Sequence, residues 1–329
     1  MSNAHASRQN ILVTGGAGFI GSHLVRRLVG SGAAVTVVVK YNSIIDNVRL
    51  APVWDALDIV EADLRNVDSL RPLAPRRFDA VYHLAAYNHV GDSFVHVNEA
   101  LLTNAVGTAN LLECGMQYDR FVYMSTSECY GLQDEVPFKE SAVAFPISPY
   151  AVGKYAGELY ARFKRHQTGQ PIVCIRPFNT FGPYQSEKAV IPELIIRCLR
   201  GLPVVTTEGR QTREFNYVDN QVDGILAAAA AEPPFDGIIN IGSCEEIAIR
   251  DLVRKIHDLC GTDAELRIGG LPNRPTEIWR MSSDNTRARE VLGWTPTVGF
   301  EDGLARTVAW YRNYLTVFTD PAGPLCRLG

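Results

Sequence analysis

Ile11-Leu-Val-Thr-Gly15-Gly-Ala-Gly18-Phe-Ile-Gly21-Ser-His-Leu24 is the stretch on which the fold turns. A short β-favouring apolar run enters a glycine-rich turn, and an amphipathic stretch from about Phe19 to Val29 leaves it. Glycines at 15, 18 and 21 permit a tight turn and a close backbone approach. That geometry lays a pyrophosphate on the unpaired amides of a helix N-terminus. A glycine triplet alone is a weak signal. The strand before it and the helix after it make it a dinucleotide-binding signature. Gly15, Gly18, Phe19, Ile20 and Gly21 are therefore the first candidate cofactor residues.

Outward from this turn, apolar β-branched runs alternate with helix-like stretches. Val35–Val39, Ile59-Val60, Ala80–Leu84, Phe121–Met124 and Ile172–Ile175 read as strands; about Glu99 to Gln117, Ser148 to Gln167 and Ile249 to Cys260 read as helices. Near-continuous apolar strands alternating with helices predict an α/β fold, a doubly wound parallel sheet of Rossmann type covered on both faces. After Pro177 the strands shorten and Pro and Gly become frequent. The expected division is a dinucleotide-binding domain over 8–182, with a return segment at about 214–246. Residues 183–213 and 247–329 then form a smaller mixed substrate lobe.

Composition narrows the function classes. The 329 residues carry a net charge of −4, with 46% hydrophobic and 21% charged residues. This is the profile of a globular chain, not of a disordered one or a coiled coil. The near-neutral charge offers no broad basic field for nucleic acid. No apolar run approaches the roughly 20 residues of a membrane span. The N-terminus lacks the pattern of a signal peptide. Seven cysteines, with no C-x-x-C pair, argue against a disulfide scaffold and against a zinc site. A cytoplasmic location and no metal are the expectations.

At the end of the second strand, an NAD site usually carries an acidic residue for the ribose hydroxyls. Here Val39-Lys40 stands there, and no carboxylate appears until Asp46. NAD remains the expected cofactor, but Lys40 could instead meet the 2′-phosphate of NADP; alternatively Lys40 is solvated and Asn42 or Ser43 holds the ribose. Asp63, with Leu64 beside it, follows the third strand as an adenine-side candidate. Leu84, Ala85 and Ala86 end the fourth with side chains small enough for a close cofactor approach.

Tyr150-Ala-Val-Gly-Lys154 puts a phenol and an ammonium at i, i+4, on one face of a helix. A nearby cation favours the phenolate and is expected to lower the tyrosine pKa from about 10. Such a phenol can take a proton from an alcohol while hydride leaves the same carbon. Y-x-x-x-K arises often by chance, but here it follows a dinucleotide turn and a strand ending Met124-Ser-Thr126-Ser127-Glu128. Thr126 is the hydroxyl expected to share the substrate oxygen with Tyr150.

These motifs resemble the extended short-chain dehydrogenases/reductases, in the NAD-dependent epimerase/dehydratase family that acts on nucleotide sugars. The matching pieces are Thr14–Gly21, His83–Ala86, Asn104–Thr108, Ser125–Gly131, Ser148–Lys154, Arg176–Pro183, Thr212–Asp219 and Leu292–Pro296. The resemblance spans about Ile11 to Trp310 and is closest to the nucleotide-sugar 4,6-dehydratases. It implies an enzyme with Thr126, Ser127, Glu128, Tyr150 and Lys154 as its catalytic set. It also implies a homodimer, through a four-helix interface built from the Glu99–Gln117 and Ser148–Gln167 helices.

In this family, members that only epimerise C4 usually carry a small neutral residue where Glu128 stands. A carboxylate there goes with chemistry at C5, because a C4 ketone acidifies the C5 proton. Many glucose 4,6-dehydratases carry Asp-Glu at 127–128, whereas mannose-type dehydratases and sugar-acid decarboxylases carry Ser-Glu, as here. Ser127 therefore leaves the general acid open: it acts through a water, or Glu128 serves as both base and acid. Asn88-His89-Val90 and Pro183–Pro192 resemble dehydratases. The expected reaction is 4,6-dehydration of a nucleotide sugar; decarboxylation of a nucleotide-sugar acid is second, C4 epimerisation third, and a non-catalytic dinucleotide sensor last. The resemblance assigns Arg213 and Arg280 to the diphosphate, Asn179 to the sugar–diphosphate, and Val190 to the base. His89 is read as either a proton relay or a packed wall of the pocket.

Overall fold

The computed structural model describes residues 8–40, 48–232, 234–273 and 278–319. Asn42 and Ser43 lie outside the described residues. Seven parallel strands form the central sheet: β1 (Asn10–Thr14), β2 (Ala34–Val39), β3 (Leu57–Glu61), β4 (Ala80–His83), β5 (Phe121–Met124), β6 (Ile172–Pro177) and β7 (Ile238–Ile241). Their order across the sheet is β7-β6-β5-β4-β1-β2-β3. The strand order reverses between β1 and β4, which pair with Val13 opposite Tyr82. Ligands of open α/β sheets bind at such a switch point, beyond the carboxyl ends of the strands.

Alternation along each strand builds two cores, one per face. Ile11, Val13, Val35 and Val37 pack with Leu24 and Val25 of α1 (Phe19–Gly30). Leu12, Val38, Val81 and Phe121 point to the other face, with Leu111 and Ala161. Those two belong to α2 and α3. Helix α2 runs as Val97–Leu101, a π-turn Leu102–Val106, and Gly107–Glu113. Helix α3 spans Pro149–Thr168; the Ser148 hydroxyl caps it by accepting from Ala151 N, Pro149 occupies its first turn, and Gly169 ends it at φ 70°.

Helix α2 stops four residues short of the expected Gln117. Gly115 adopts φ 94°, and Gln117-Tyr118 pairs in parallel with Arg77-Phe78 as a two-residue ladder. The π-turn is also invisible to periodicity. It turns the Asn104 side chain inward, where its amide bonds both N and O of Tyr87.

Beyond β6 the chain builds a third core. Helices α4 (Val190–Leu199), α6 (Ile249–Cys260) and α7 (Phe300–Thr319) pack Ile191, Ile195, Leu252, Ile256, Leu304 and Tyr311 together. Between these, α5 (Val218–Ala230) and β7 return to the main sheet. Short ladders, 212–214 with 246–248 and 204–206 with 266–268, lie outside it. No helix among the described residues is long and apolar enough to cross a membrane.

Candidate active site

The β1–α1 turn is shaped by close backbone packing. Gly15 sits at φ 72°, and a Cβ there would lie 2.6 Å from Ala85 N at the end of β4. A Cβ on Gly21 would lie 2.1 Å from Gly15 O. Gly18 is the N-cap of α1; no side chain caps the helix and its first turn holds no acidic residue. The first amides of α1 are thus left with no side-chain partner at the positive end of the helix dipole, as a pyrophosphate requires. The residues present fit a dinucleotide.

Two adjoining cavities share Gly15, Gly18, Phe19, Leu84, Ala86 and Asn88. One runs over β2 and β3, where Lys40, Asp63, Leu64, Arg65 and Ala85 line it. The other runs over β5 and β6 and is lined by Ile20, Gly21, Thr126, Ser127, Glu128, Tyr150, Lys154 and Asn179. A single groove therefore passes from the end of β3 to the end of β6, and the five candidate catalytic residues share its second half.

Local structure sets each of these. Thr126 ends the extended chain after β5 and caps a 3₁₀ turn, Ser127–Cys129, by accepting from Glu128 N at 3.2 Å. The turn directs Glu128 into the cavity. Tyr150 stands in the first turn of α3, its backbone N donating to Ser93 Oγ at 3.2 Å and its phenol in hydrogen-bond contact with Thr126. Lys154 is buried one turn later, its ammonium 4.6 Å from the centre of the Tyr123 ring.

The electrostatics differ from the sequence reading in one respect. The phenol of Tyr150 is pushed above its ordinary value, not lowered. Burial is the largest cause, the Glu128 charge adds to it, and the Thr126 hydroxyl opposes it. Desolvation of the phenolate in this enclosed site sets the sign of the shift. Burial likewise lowers the Lys154 ammonium to about 8. The Glu128 carboxyl is raised by burial, with Arg213 pulling it back down. A raised carboxyl returns an accepted proton less readily to water and holds it better for a leaving group.

Behind the site lies a buried ion pair. Glu158, one turn beyond Lys154, accepts from Arg176 Nε at 2.9 Å and Nη2 at 2.7 Å, and from Ser125 Oγ at 2.7 Å. It ties α3 to the ends of β5 and β6. A second buried chain runs from Thr14 Oγ1 through His83 to Thr108 Oγ1, at 2.7 and 2.9 Å. Burial lowers His83 to about 3, so the ring stays neutral.

Four of the expected substrate residues lie elsewhere than the walls of these cavities. His89 turns out: its Nδ1 accepts from Asp92 N at 2.9 Å and caps the short helix Val90–Ser93, so Asn88 and Val90 face the cavity instead. In extended chain, neighbours point to opposite sides. Val190 opens α4 and is exposed. Arg280 makes a two-point ion pair with Glu246, at 3.0 and 2.5 Å. Arg213 donates to Thr212 O and faces Glu128 electrostatically. Phe178, Thr180, Arg65 and Arg49 line the groove without having been singled out from sequence. The Arg176–Pro183 motif contained the first two; nothing local marked the arginines. Among the described residues no cluster could hold a metal.

The family model described as GDP-mannose 4,6 dehydratase matches residues 12–307. A dTDP-glucose 4,6-dehydratase of Streptomyces niveus is 35% identical over 318 residues, covering 92% of this chain and 93% of that protein. The dTDP-glucose 4,6-dehydratase of Streptomyces venezuelae, solved with NAD bound, superposes with a TM-score of 0.84 at 34% identity, covering 95% of this chain and 99% of that one. The UDP-glucose 4-epimerase of Thermotoga maritima, solved with UDP-glucose, gives a TM-score of 0.85 at 31% identity, covering 93% and 99%. This chain, with its switch-point groove and its tyrosine–lysine helix, belongs to the GDP-mannose 4,6 dehydratase family of extended short-chain dehydrogenases/reductases, the NAD-dependent epimerases and dehydratases.

Proposed function

We propose that the chain is a nucleotide-sugar 4,6-dehydratase that uses NAD. The observation that carries this reading is Glu128, a partly buried carboxyl with a raised pKa in the same cavity as Tyr150, Thr126 and Lys154. The relatives and neighbours include both dehydratases and epimerases, so overall likeness does not choose between them. Epimerisation at C4 needs only one acid–base group at the C4 oxygen, whereas dehydration needs a second at C5.

Gly15, Gly18 and Gly21 with the N-terminus of α1 would hold the pyrophosphate, and Asp63, Leu64 and Leu84–Ala86 the adenosine half and ribose. When bound, NAD supplies the acceptor for the C4 hydride and its return to C6. Burial by itself keeps the Tyr150 phenol protonated. Lys154, together with the positive nicotinamide of bound NAD, would favour its phenolate, which takes the proton of the C4 hydroxyl while Thr126 holds the same oxygen. Glu128 removes the C5 proton, which the C4 ketone has acidified. Glu128 passes that proton to the C6 hydroxyl, which leaves as water, so Glu128 serves as base and then acid, and Ser127 need carry none. When hydride is returned to C6, C5 takes up a solvent-derived proton through Glu128, balancing the proton that Tyr150 takes from the C4 hydroxyl and releases to solvent. Arg213 and Asn179 are the proposed diphosphate contacts. Arg280 joins them only by leaving Glu246.

The test is incubation with a panel of nucleotide hexoses and nucleotide uronates in deuterated water. Dehydration gives a 4-keto-6-deoxy product with solvent deuterium at C5. Carbon dioxide from a uronate, or inversion at C4 without exchange at C5, overturns the reading.

The proposed assembly is a homodimer through α2 and α3. Leu102 and Val106 of α2 and Val152, Leu159 and Phe163 of α3 are exposed apolar side chains on adjacent helices. A patch of this kind on one face marks an interface. Sedimentation equilibrium is expected to give a dimer for the parent chain and a monomer for Leu159→Glu/Phe163→Glu. A monomeric parent, or an unaffected double variant, removes this surface as the interface.

A further inference from the structure

Four charged side chains gather at the adenosine end of the groove. Lys40 directly follows β2, the place where the ribose of a dinucleotide is read. Its Nζ lies 3.6 Å from Oε1 of Glu99. The same oxygen accepts from Arg65 Nη1 at 3.2 Å. Arg65 also grips Asp63 through Nε at 3.0 Å and Nη2 at 2.6 Å. Lys40, Asp63 and Arg65 line the cavity, and Glu99 reaches them from the first turn of α2. Another cation of that cavity, Arg49, donates to the carbonyls of Tyr184 and Ala17.

Two cations are thus matched by two carboxylates, and one oxygen of Glu99 restrains both cations. We propose that Glu99 selects NAD over NADP in this chain, by withholding Lys40 and Arg65 from a 2′-phosphate. The inference rests on the cofactor reading above. A dinucleotide site normally excludes the 2′-phosphate with a carboxylate at the end of the second strand, and Val39-Lys40 occupies that place here. Glu99 restores the negative charge from a different element. A 2′-phosphate would have to break both ion pairs and leave the Glu99 carboxylate unpaired beside it, and like charges at that range repel. A ribose hydroxyl asks for neither.

The test is direct titration of NAD and of NADP, at low ionic strength, into the full-length chain freed of nucleotide. The parent is expected to prefer NAD. Glu99→Gln keeps the shape and removes the charge, and its NADP affinity is expected to rise about tenfold with NAD affinity little changed, since two charge-assisted bonds to phosphate become available. Adding Lys40→Met to that variant is expected to remove most of the gain, and rising salt is expected to erode it. A purely structural role for Glu99 would weaken both dinucleotides together. An unchanged ratio of the two affinities in Glu99→Gln overturns the proposal, as does a parent that binds both equally. A parent that binds neither dinucleotide is a separate result: it overturns the cofactor reading, and the inference with it.

Discussion

Glu128→Gln is expected to lower steady-state dehydration about a thousandfold, the scale on which a positioned acid–base group works. The substitution keeps the shape of the side chain and removes its ability to accept the C5 proton. Tyr150, Thr126 and Lys154 are untouched, so oxidation at C4 should still occur once per site. A single-turnover experiment should therefore show the nicotinamide absorbance change without water loss and without deuterium at C5. The pH profile carries a second signature. Burial raises the Glu128 carboxyl, so its base form is lost as pH falls through that raised value. The acid limb of the parent profile should vanish in the variant. The alkaline limb, where the Lys154 ammonium gives up its proton at about 8, should remain. Unaltered turnover in Glu128→Gln would take the residue out of the mechanism and return the epimerase reading.

Arg176→Leu is expected to cost about 3–5 kcal/mol of folding stability, because it leaves a buried carboxylate without its hydrogen-bonded cation. The exposed Arg162 guanidinium, 3.8 Å from Glu158, is the positive charge that remains. Glu158 is fully buried, and Arg176 provides two of its hydrogen bonds; only Ser125 Oγ would be left at comparable distance. The pair is not itself a large source of stability, since desolvation offsets most of its attraction. Removing both charges, in Arg176→Leu/Glu158→Leu, should therefore recover much of the loss. Urea unfolding of the two variants checks this. A single variant within about 1 kcal/mol of the parent would mean that water or a neighbour compensates the charge. The pair also matters to the site, because Glu158 stands one turn beyond Lys154 and Arg176 immediately precedes the Pro177–Thr180 wall of the cavity. Loss of activity in the double variant, despite recovered stability, would point to positioning.

The glycine turn, the alternation of apolar strands with helices and the Tyr150–Lys154 spacing were all readable along the chain, because each is a local pattern with one physical use. Periodicity gives a helix over about Glu99 to Gln117, which overruns the observed end at Glu113, since the Gln117-Tyr118 ladder depends on a partner strand distant in sequence. Motif reading named His89, yet an alternating backbone turned Asn88 and Val90 inward and left His89 as a cap. The i, i+4 rule put a cation next to a phenol, but only burial decides the sign of the shift, and burial is a property of the whole fold.

The main strands and helices and their order are legible along the chain, because period, turn chemistry and capping act over a few residues. Tertiary structure alone decided which of those residues meet. Glu128 reaches the Tyr150 cavity because a 3₁₀ turn after β5 lies against the first turn of α3, about twenty residues on in sequence. Lys40, Arg65 and Glu99 converge from β2, the loop after β3, and α2. Side chains so far apart in sequence signal nothing to one another until the sheet brings their strand ends to one edge.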